Sequence, residues 1–149
     1  QRQMCIRDSL GLEDRGERLT IGLPRDPIPF TRTDNGRETA STVYALPATG
    51  TEEVLYSLYM GGDVGETVIE TNRPDLPSIL IYGDSFTNPV ECLAYYSFDE
   101  MRSIDLRHYR EMSLADYIRL HQPDIVVGIR DYEALLSADY NGSPFQLQP

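Results

Sequence analysis

The chain has 149 residues, enough for one domain with a hydrophobic core, and its 24 acidic and 13 basic side chains give a formal net charge of -11. This acidic excess argues against nucleic acid as a partner, because phosphate binding needs a basic surface. It also argues against adhesion to anionic lipid. Two distant cysteines, Cys5 and Cys92, make neither a disulfide framework nor a zinc site, and no apolar run is long enough to span a membrane.

Residues 1–9, QRQMCIRDS, show neither helical nor strand periodicity. They resemble a translated adapter sequence, in which case the true amino-terminal part is missing. An ordinary disordered terminus is the alternative. We therefore expect a partial domain over residues 10–136 and a loose polar tail over residues 137–149.

The amino half of the chain is polar and is interrupted by prolines, so its predicted elements are short. β-branched and aromatic residues favour strands over residues 18–23, 39–46 and 66–70. Residues 52–59 fit either a short strand or a helical turn. These patterns leave the pairing of the strands open.

The carboxyl half alternates regularly between strands and helices. Apolar runs predict strands over residues 78–82, 101–106 and 124–129. Helices are predicted over residues 89–96, from Ser113 to the Gln122-Pro123 break, and over residues 130–136. This order predicts parallel βαβ units, and hence an α/β fold that is flavodoxin-like in the broad sense.

Two of these helices carry sequence signals for their first turn. Asn88 suits the N-cap of the first helix, with Pro89 behind it, and Val90, Leu93 and Ala94 are expected on one side. Cys92 in the same helix is expected to be a small core residue. In the second helix Ser113 is the predicted N-cap, with Leu114, Tyr117 and Ile118 on one face.

Ser85 is the first candidate for chemistry, because the turn Tyr82-Gly-Asp-Ser-Phe-Thr87 directly follows the buried strand. A serine there lies at the carboxyl end of a strand and near a helix N-terminus, where backbone N–H groups can hold an oxyanion. The hydroxyl is a poor nucleophile until a base takes its proton. The alternative is a serine that merely caps the next helix.

The candidate bases are the two histidines, His108 and His121. His121 ends a helix, where interaction with the last carbonyls is expected. His108 lies three residues after Asp105, past the strand that ends at the same edge as Ser85, so a Ser85–His108–Asp105 triad is conceivable. Arg107 competes for Asp105 and weakens that alternative.

Four segments in order resemble the DHHW family of SGNH-type proteins, which is related to the alginate O-acetyltransferases AlgX and AlgJ. They are Tyr59-Met-Gly-Gly-Asp63, Ile79-Leu-Ile-Tyr-Gly-Asp-Ser-Phe-Thr-Asn88, Ile104-Asp-Leu-Arg-His-Tyr109 and Asp124-Ile-Val-Val. The resemblance implies an SGNH three-layer fold, with a parallel sheet in the carboxyl half and an irregular β-containing amino half. It also implies that Ser85 is the nucleophile.

The family's Asp and His lie upstream of the serine, and this chain has no histidine before Ser85. That departure fits an amino-terminally truncated sequence whose Asp–His pair is missing. At the position of His108 the family often has an aromatic residue, which argues further against the local triad. The chain also lacks the G-x-N-D block and the carboxyl-terminal D-x-x-H of ordinary GDSL esterases.

Other residues near the serine have candidate supporting roles. Asp84 is expected to orient the turn or to be a simple turn residue, and Asn88 to donate to an oxyanion or to cap the helix. Asp105 and Arg107 are expected to form a structural ion pair, the alternative being that Arg107 holds a substrate group. Gly61-Gly62-Asp63 is expected to form a loop beside the site or a plain turn.

Tyr95, Tyr96 and Tyr109 are candidates for stacking on sugar rings, with ordinary packing as the favoured alternative. No group of residues has metal-ligand spacing, so no metal and no cofactor are expected.

The resemblance implies a serine O-acyltransferase or esterase acting on cell-surface polysaccharide in the extracytoplasmic cell envelope, often behind an amino-terminal anchor that this chain does not show. The implied partners are a polysaccharide, an acyl donor and, as one alternative, a membrane-bound acyltransferase. A non-catalytic glycan-binding or export-complex module of the same fold is the second hypothesis. A self-sufficient esterase using Ser85, His108 and Asp105 is the third.

Overall fold

A single six-stranded sheet organises residues 21–48 and 54–132, which are the residues that the computed structural model describes. The strands are β1 (Thr31–Asp34), β2 (Arg37–Glu38), β3 (Glu66–Glu70), β4 (Ile79–Gly83), β5 (Glu100–Asp105) and β6 (Ile125–Ile129). Their order in the sheet is β2-β1-β3-β5-β4-β6. β4 is parallel to β5 and β6, and the strands of the amino half join antiparallel.

Two α-helices, α1 (Asn88–Ala94) and α2 (Leu114–His121), connect the parallel strands. Short 3-10 helices cover Tyr56–Leu58, Ser85–Thr87 and Tyr95–Ser97. Within the described ranges no helix is long and apolar enough to cross a membrane.

The sheet separates two apolar clusters, and strand alternation explains the division. Ile79 and Ile81 of β4 pack with Cys92 of α1 on one face. Leu80, the residue between them, packs with Leu114 and Tyr117 of α2 on the other. The carboxyl half is therefore a three-layer α/β arrangement, as the sequence predicts.

The connections place a topological switch point at the carboxyl end of β4. The chain leaves β4 through α1 to β5 on one side, then passes through α2 to β6 on the other side of β4. Ligands of open α/β sheets bind where the connections from neighbouring strands diverge in this way. The segment that follows β4 begins with Asp84 and Ser85.

The predicted strands of the carboxyl half are confirmed with small shifts in their ends. The strand predicted over residues 66–70 is confirmed as β3. The N-cap prediction for Ser113 is also confirmed, because its Oγ accepts the backbone N–H of Asp116 at 3.1 Å. The helix predicted over residues 130–136 lies mostly outside the described residues, as does the tail from residue 137.

The amino half differs from the prediction. Residues 39–46 contain only an isolated bridge between Tyr44 and Tyr59, and residues 21–23, the described end of the strand predicted over 18–23, are not in a strand. The strands lie instead at β1 and β2, joined by Asn35 and Gly36 at φ 48° and 73°. An Asn-Gly pair is the strongest short-range hairpin signal, and it marks this turn, which the strands predicted above do not include. Of residues 52–59, Tyr56–Leu58 form a helical turn.

Helix α1 buries a different face from the predicted one. Asn88, Glu91 and Cys92 are buried, whereas Val90 and Leu93 are exposed. Asn88 has helical dihedrals and is not the N-cap, because the preceding 3-10 turn runs directly into α1. Cys92 is a core residue as predicted, and burial raises the pKa of its thiol to about 11.

Strand β6 is apolar along its whole length yet lies at the edge of the sheet. Such a sequence is typical of a parallel strand covered on both faces, but the consecutive residues Ile125 and Val126 are 40% and 42% exposed. Neighbouring residues of a strand point to opposite faces. On the face of Ile125, Val127 and Ile129 are partly buried against the first apolar cluster, whereas Val126 and Gly128 leave the other face exposed within the described part of the chain.

Candidate active site at the carboxyl end of β4

Ser85 begins the 3-10 turn that joins β4 to α1. It is half-buried, and no described residue forms a hydrogen bond with its Oγ. Its backbone N–H is the first of the helical turn and therefore has no partner within that turn. A hydroxyl and an N–H donor thus lie together at the switch point of the sheet.

Asp84 is the buried residue that fixes this turn. Its Oδ1 accepts the backbone N–H of Phe86 at 3.0 Å, and its Oδ2 accepts the backbone N–H of Asp131, beyond β6, at 2.9 Å. Its carbonyl oxygen accepts both the N–H and the hydroxyl of Thr87. One carboxylate therefore connects the serine turn to the end of the neighbouring strand, which positions Ser85 relative to the sheet.

Tyr56 is a site residue that the sequence analysis missed. Its hydroxyl donates to the carbonyl oxygen of Ser85 at 2.7 Å, across 29 positions of the chain. Burial raises the pKa of this hydroxyl, with further contributions from Asp63 and Asp84. No local pattern marks Tyr56, since its role depends on a contact distant in sequence.

The loop predicted beside the site does lie there. Met60, Gly61 and Gly62 all have positive φ, which turns the chain so that Asp63 reaches Asn88. The side-chain amide of Asn88 donates to Asp63 Oδ1 at 3.2 Å. Asn88 is therefore a side-chain donor held next to the serine turn and not a helix cap.

Asp105 and Arg107 form the ion pair that the sequence predicts, and Asp63 joins it. Arg107 Nη2 lies 2.5 Å from Asp105 Oδ2 and 2.7 Å from Asp63 Oδ2. Arg107 also donates to Asp105 through Nε and its backbone N–H. The guanidinium thus connects the loop of Asp63 to the end of β5.

His108 is exposed beside this cluster. One potential ligand atom from each of His108, Asp63 and Asp105 lies within 4.8 Å of the others. Asp105, however, accepts from Arg107 with both carboxylate oxygens, so its carboxylate is already engaged as an ion-pair partner. Arg107 already pairs with the carboxylates of Asp63 and Asp105, which makes them poor ligands for a metal ion. The arrangement therefore fits an ion-pair network better than a metal centre.

His121 lies away from the serine, at the last residue of α2, before β6 begins. Its ring packs on Tyr117 with 4.3 Å between the centroids. Burial lowers the pKa of His121, and the charge of Arg102 lowers it further. The prediction that His121 takes no part in the serine site agrees with this position.

A small polar cavity of about 10 Å³ lies beneath the turn. Its walls include Thr87, Asn88, Glu91, Ser103 and Asp105, and it has about the volume that one water molecule requires. Glu91 is buried and accepts the hydroxyl of Ser103 on β5 at 2.5 Å. This contact ties α1 to β5 directly behind the serine turn.

Burial raises the pKa of Glu91, so we expect the contribution of this residue to stability to be lost as the pH rises. A raised pKa in the folded state favours the protonated form, which stabilises the fold fully below the ordinary Glu pKa and progressively less above it. Glu91→Gln, which keeps an acceptor for Ser103 and carries no charge, should match the wild type in acid. It should exceed the wild type in free energy of unfolding at neutral and alkaline pH. Denaturant titrations across this pH range measure the difference in free energy of unfolding between Glu91→Gln and the wild type. A difference that shrinks as the pH rises would contradict the prediction.

The three tyrosines named as possible sugar contacts are engaged in packing or hydrogen bonding. Tyr95 is buried against Phe30 at 4.8 Å between centroids. Tyr96 donates to the carbonyl of Asp26 and lies under Arg73, and Tyr109 packs on Tyr117. The favoured alternative, ordinary packing, describes their contacts.

The parallel strands, the switch point and the serine turn define an α/β domain that presents a serine at the edge of its sheet. Solved structures agree: Bacillus cereus PatB1 with a sulfonyl adduct superposes with a TM-score of 0.71 at 25% identity, over 93% of this chain and 47% of that one. A second PatB1 structure gives a TM-score of 0.60 at 24% identity, over 80% of this chain and 38% of that one. A DHHW family protein from Eubacterium siraeum DSM 15702 gives a TM-score of 0.53 at 24% identity, over 69% of this chain and 36% of that one.

The chain therefore has the DHHW- and PatB1-like SGNH fold, as the sequence resemblance implies. It spans less than half of the length of each of these three structures. No family model matches the chain, and no curated protein matches it in sequence.

Proposed function

We propose that this chain supplies the nucleophile-bearing part of an SGNH-type serine O-acyltransferase or esterase acting on cell-surface polysaccharide. The observation that carries the proposal is the position of Ser85. Its hydroxyl lies at the switch point of the sheet, on a turn fixed by the buried Asp84, and makes no hydrogen bond within the described residues. PatB1, which shares the fold, is an SGNH-type acetyltransferase.

In the proposed reaction Ser85 Oγ attacks the carbonyl carbon of an acyl donor and loses its proton to a base. The bond from that carbon to the donor's leaving group breaks, which leaves an acyl ester on Ser85. A sugar hydroxyl or water then attacks the ester, and the serine oxygen regains a proton. The backbone N–H of Ser85 and the amide of Asn88 are the proposed donors to the oxyanion in both steps.

The base is proposed to come from an Asp–His pair outside the residues described here. Asp105 is engaged by Arg107, which argues against a dyad of Asp105 and His108. The exposed face of β6, at Val126 and Gly128, and the coverage of only 47% of PatB1 leave room for a further segment next to β6. The proposal includes two further points that rest on the family resemblance. A membrane-bound acyltransferase is the partner that supplies the acyl group, and the protein acts in the cell envelope.

The sulfonyl adduct of PatB1 agrees with a nucleophile in this fold. A sulfonyl group becomes attached when a reactive nucleophile displaces a leaving group at sulfur, much as Ser85 displaces the leaving group at carbon in the proposed acylation step.

The second candidate function, a non-catalytic glycan-binding or export-complex module, is favoured by a single observation. No described residue forms a hydrogen bond with the Ser85 hydroxyl.

The test is the protein-dependent hydrolysis of p-nitrophenyl acetate by the purified chain, with and without added imidazole as a replacement base. Imidazole cleaves this ester by itself, so the rate of the same solution without protein is subtracted throughout. We expect imidazole to raise the hydrolysis of the wild type at least about tenfold, a part of the ~10²–10⁴-fold that a positioned base supplies. Ser85→Ala should lose this gain. Ser57→Ala, on the exposed neighbouring 3-10 helix, is the matched control and should keep it.

Equal rates for the wild type and Ser85→Ala in imidazole would reject the nucleophile and favour the binding module. Hydrolysis that needs no imidazole and disappears in His108→Ala would instead establish the self-sufficient esterase. Under the proposal, His108→Ala keeps the imidazole-dependent rate.

A further inference from the structure

We propose that Tyr56 and Phe86 form an aromatic platform that holds an uncharged sugar ring of the acceptor next to Ser85. This inference rests on the proposed function, because it names the acceptor surface of the same site. It differs from the sequence prediction, which assigned sugar contacts to Tyr95, Tyr96 and Tyr109.

The position of the two rings relative to the nucleophile is the first argument. Tyr56 donates to the carbonyl of Ser85, and Phe86 is the next residue of the same turn. The side chains are 45% and 58% exposed. An acceptor hydroxyl must come within about 3–3.5 Å of the acyl carbon on Ser85, so its sugar ring has to pass close to these aromatic surfaces.

The rigidity of Tyr56 is the second argument. Its ring packs edge-on against Tyr59 with 5.5 Å between centroids, and Tyr59 packs against the buried Tyr44 at 6.3 Å. With its hydroxyl also bonded to Ser85, the ring is supported from two directions. A flat apolar surface that is ordered before binding suits the apolar face of a pyranose ring, since little conformational entropy is lost.

The charge around the platform favours a neutral ring. Burial is the main cause of the raised pKa of the Tyr56 hydroxyl, and the carboxylates of Asp63 and Asp84 raise it further against the opposing charge of Arg107. The guanidinium of Arg107 is itself held between Asp63 and Asp105. Because this cation is already paired, an acceptor that carries carboxylates, such as a uronate polymer, meets repulsion here.

The absence of tryptophan from the chain gives a direct test. Phe86→Trp keeps an aromatic ring and introduces a single fluorophore at the platform. Its emission is titrated with cellopentaose, a neutral oligosaccharide, and with pentagalacturonic acid, an anionic one of equal length. We expect a saturable change with cellopentaose and affinity at least about tenfold weaker for the anionic sugar, a factor that corresponds to ~1.4 kcal/mol.

Variants in the Phe86→Trp background separate the ring from its hydroxyl. Tyr56→Leu should weaken cellopentaose binding about tenfold. Tyr56→Phe keeps the ring and its packing on Tyr59 but loses one of its two supports, so its loss of affinity should be much smaller than that of Tyr56→Leu. Leu120→Ala, at an exposed apolar residue near the end of α2, is the control and should bind as the parent does.

The inference is overturned if cellopentaose leaves the emission unchanged, if Tyr56→Leu binds as tightly as the parent, or if the two sugars bind equally. Emission that acrylamide cannot quench in the absence of sugar overturns it as well, because the patch is then covered by protein. Imidazole-dependent hydrolysis distinguishes the two proposals. Binding without Ser85-dependent hydrolysis rejects the reaction alone, and hydrolysis without binding rejects the platform alone.

Discussion

Replacing Gly83 by alanine is expected to destabilise the fold by about 3 kcal/mol, at the upper end of the range for overpacking. Gly83 ends β4 and pairs with Ile129 of β6. A Cβ at this position would overlap the carbonyl oxygen of Ile129, and it would also lie 3.0 Å from the Thr87 methyl group. The first of these neighbours is backbone and cannot turn aside, so β4 and β6 must separate.

The same change should impair the serine site, since Asp84 and Ser85 follow Gly83 directly. Denaturant unfolding measures the stability, and imidazole-dependent hydrolysis measures the site. Gly22→Ala is the matched control, because a Cβ there meets only the end of the Leu93 side chain at 3.3 Å. Similar losses of stability in Gly83→Ala and Gly22→Ala would show that β4 and β6 are packed less tightly than described.

Asp84→Ala is expected to be the second most damaging substitution, with a loss of about 2 kcal/mol in the free energy of unfolding. It removes the acceptor of the part-buried backbone N–H groups of Phe86 and Asp131, and each hydrogen bond of this kind contributes about 1 kcal/mol. The turn should relax, so the imidazole-dependent hydrolysis at Ser85 should fall by more than the unfolded fraction explains.

Asp84→Asn separates acceptor loss from charge loss. Its single carbonyl oxygen can still accept one of the two N–H groups, so we expect a smaller effect than that of alanine. Asp75→Ala, at an exposed carboxylate, controls for the removal of one negative charge. It should leave the free energy of unfolding and the imidazole-dependent hydrolysis unchanged. An Asp84→Ala protein as stable as the wild type would show that the carboxylate does not hold the turn.

Local patterns were sufficient for the elements that carry the site. A continuous apolar run predicted β4, and the Ser113 capping signal predicted the start of α2, because both depend on nearby residues. The position of Ser85 at the carboxyl end of β4 followed from the order of elements along the chain, whereas the switch point depends on the order of the strands in the sheet. The same kind of signal marked the hairpin at Asn35 and Gly36, which was missed although its chemistry was present in the sequence.

What the sequence could not show depends on contacts between distant segments. Hydrophobic spacing favoured Val90 and Leu93 as the buried side of α1, yet the helix buries Asn88 and Glu91. Those two are accommodated because Asp63 and Ser103 supply hydrogen-bond partners 25 and 12 positions away. The bond from Tyr56 to Ser85 is equally non-local. Periodicity alone therefore fails to predict the buried polar residues beneath the serine turn.

The most direct test of the central claim is to treat the chain with phenylmethylsulfonyl fluoride in imidazole and to locate the adduct by peptide mass spectrometry. We predict one sulfonyl group, on Ser85, with the Ser57→Ala variant labelled like the wild type and the Ser85→Ala variant unlabelled. A chain that remains unmodified, or an adduct that lies on another residue and persists in Ser85→Ala, would contradict the assignment of Ser85 as the nucleophile.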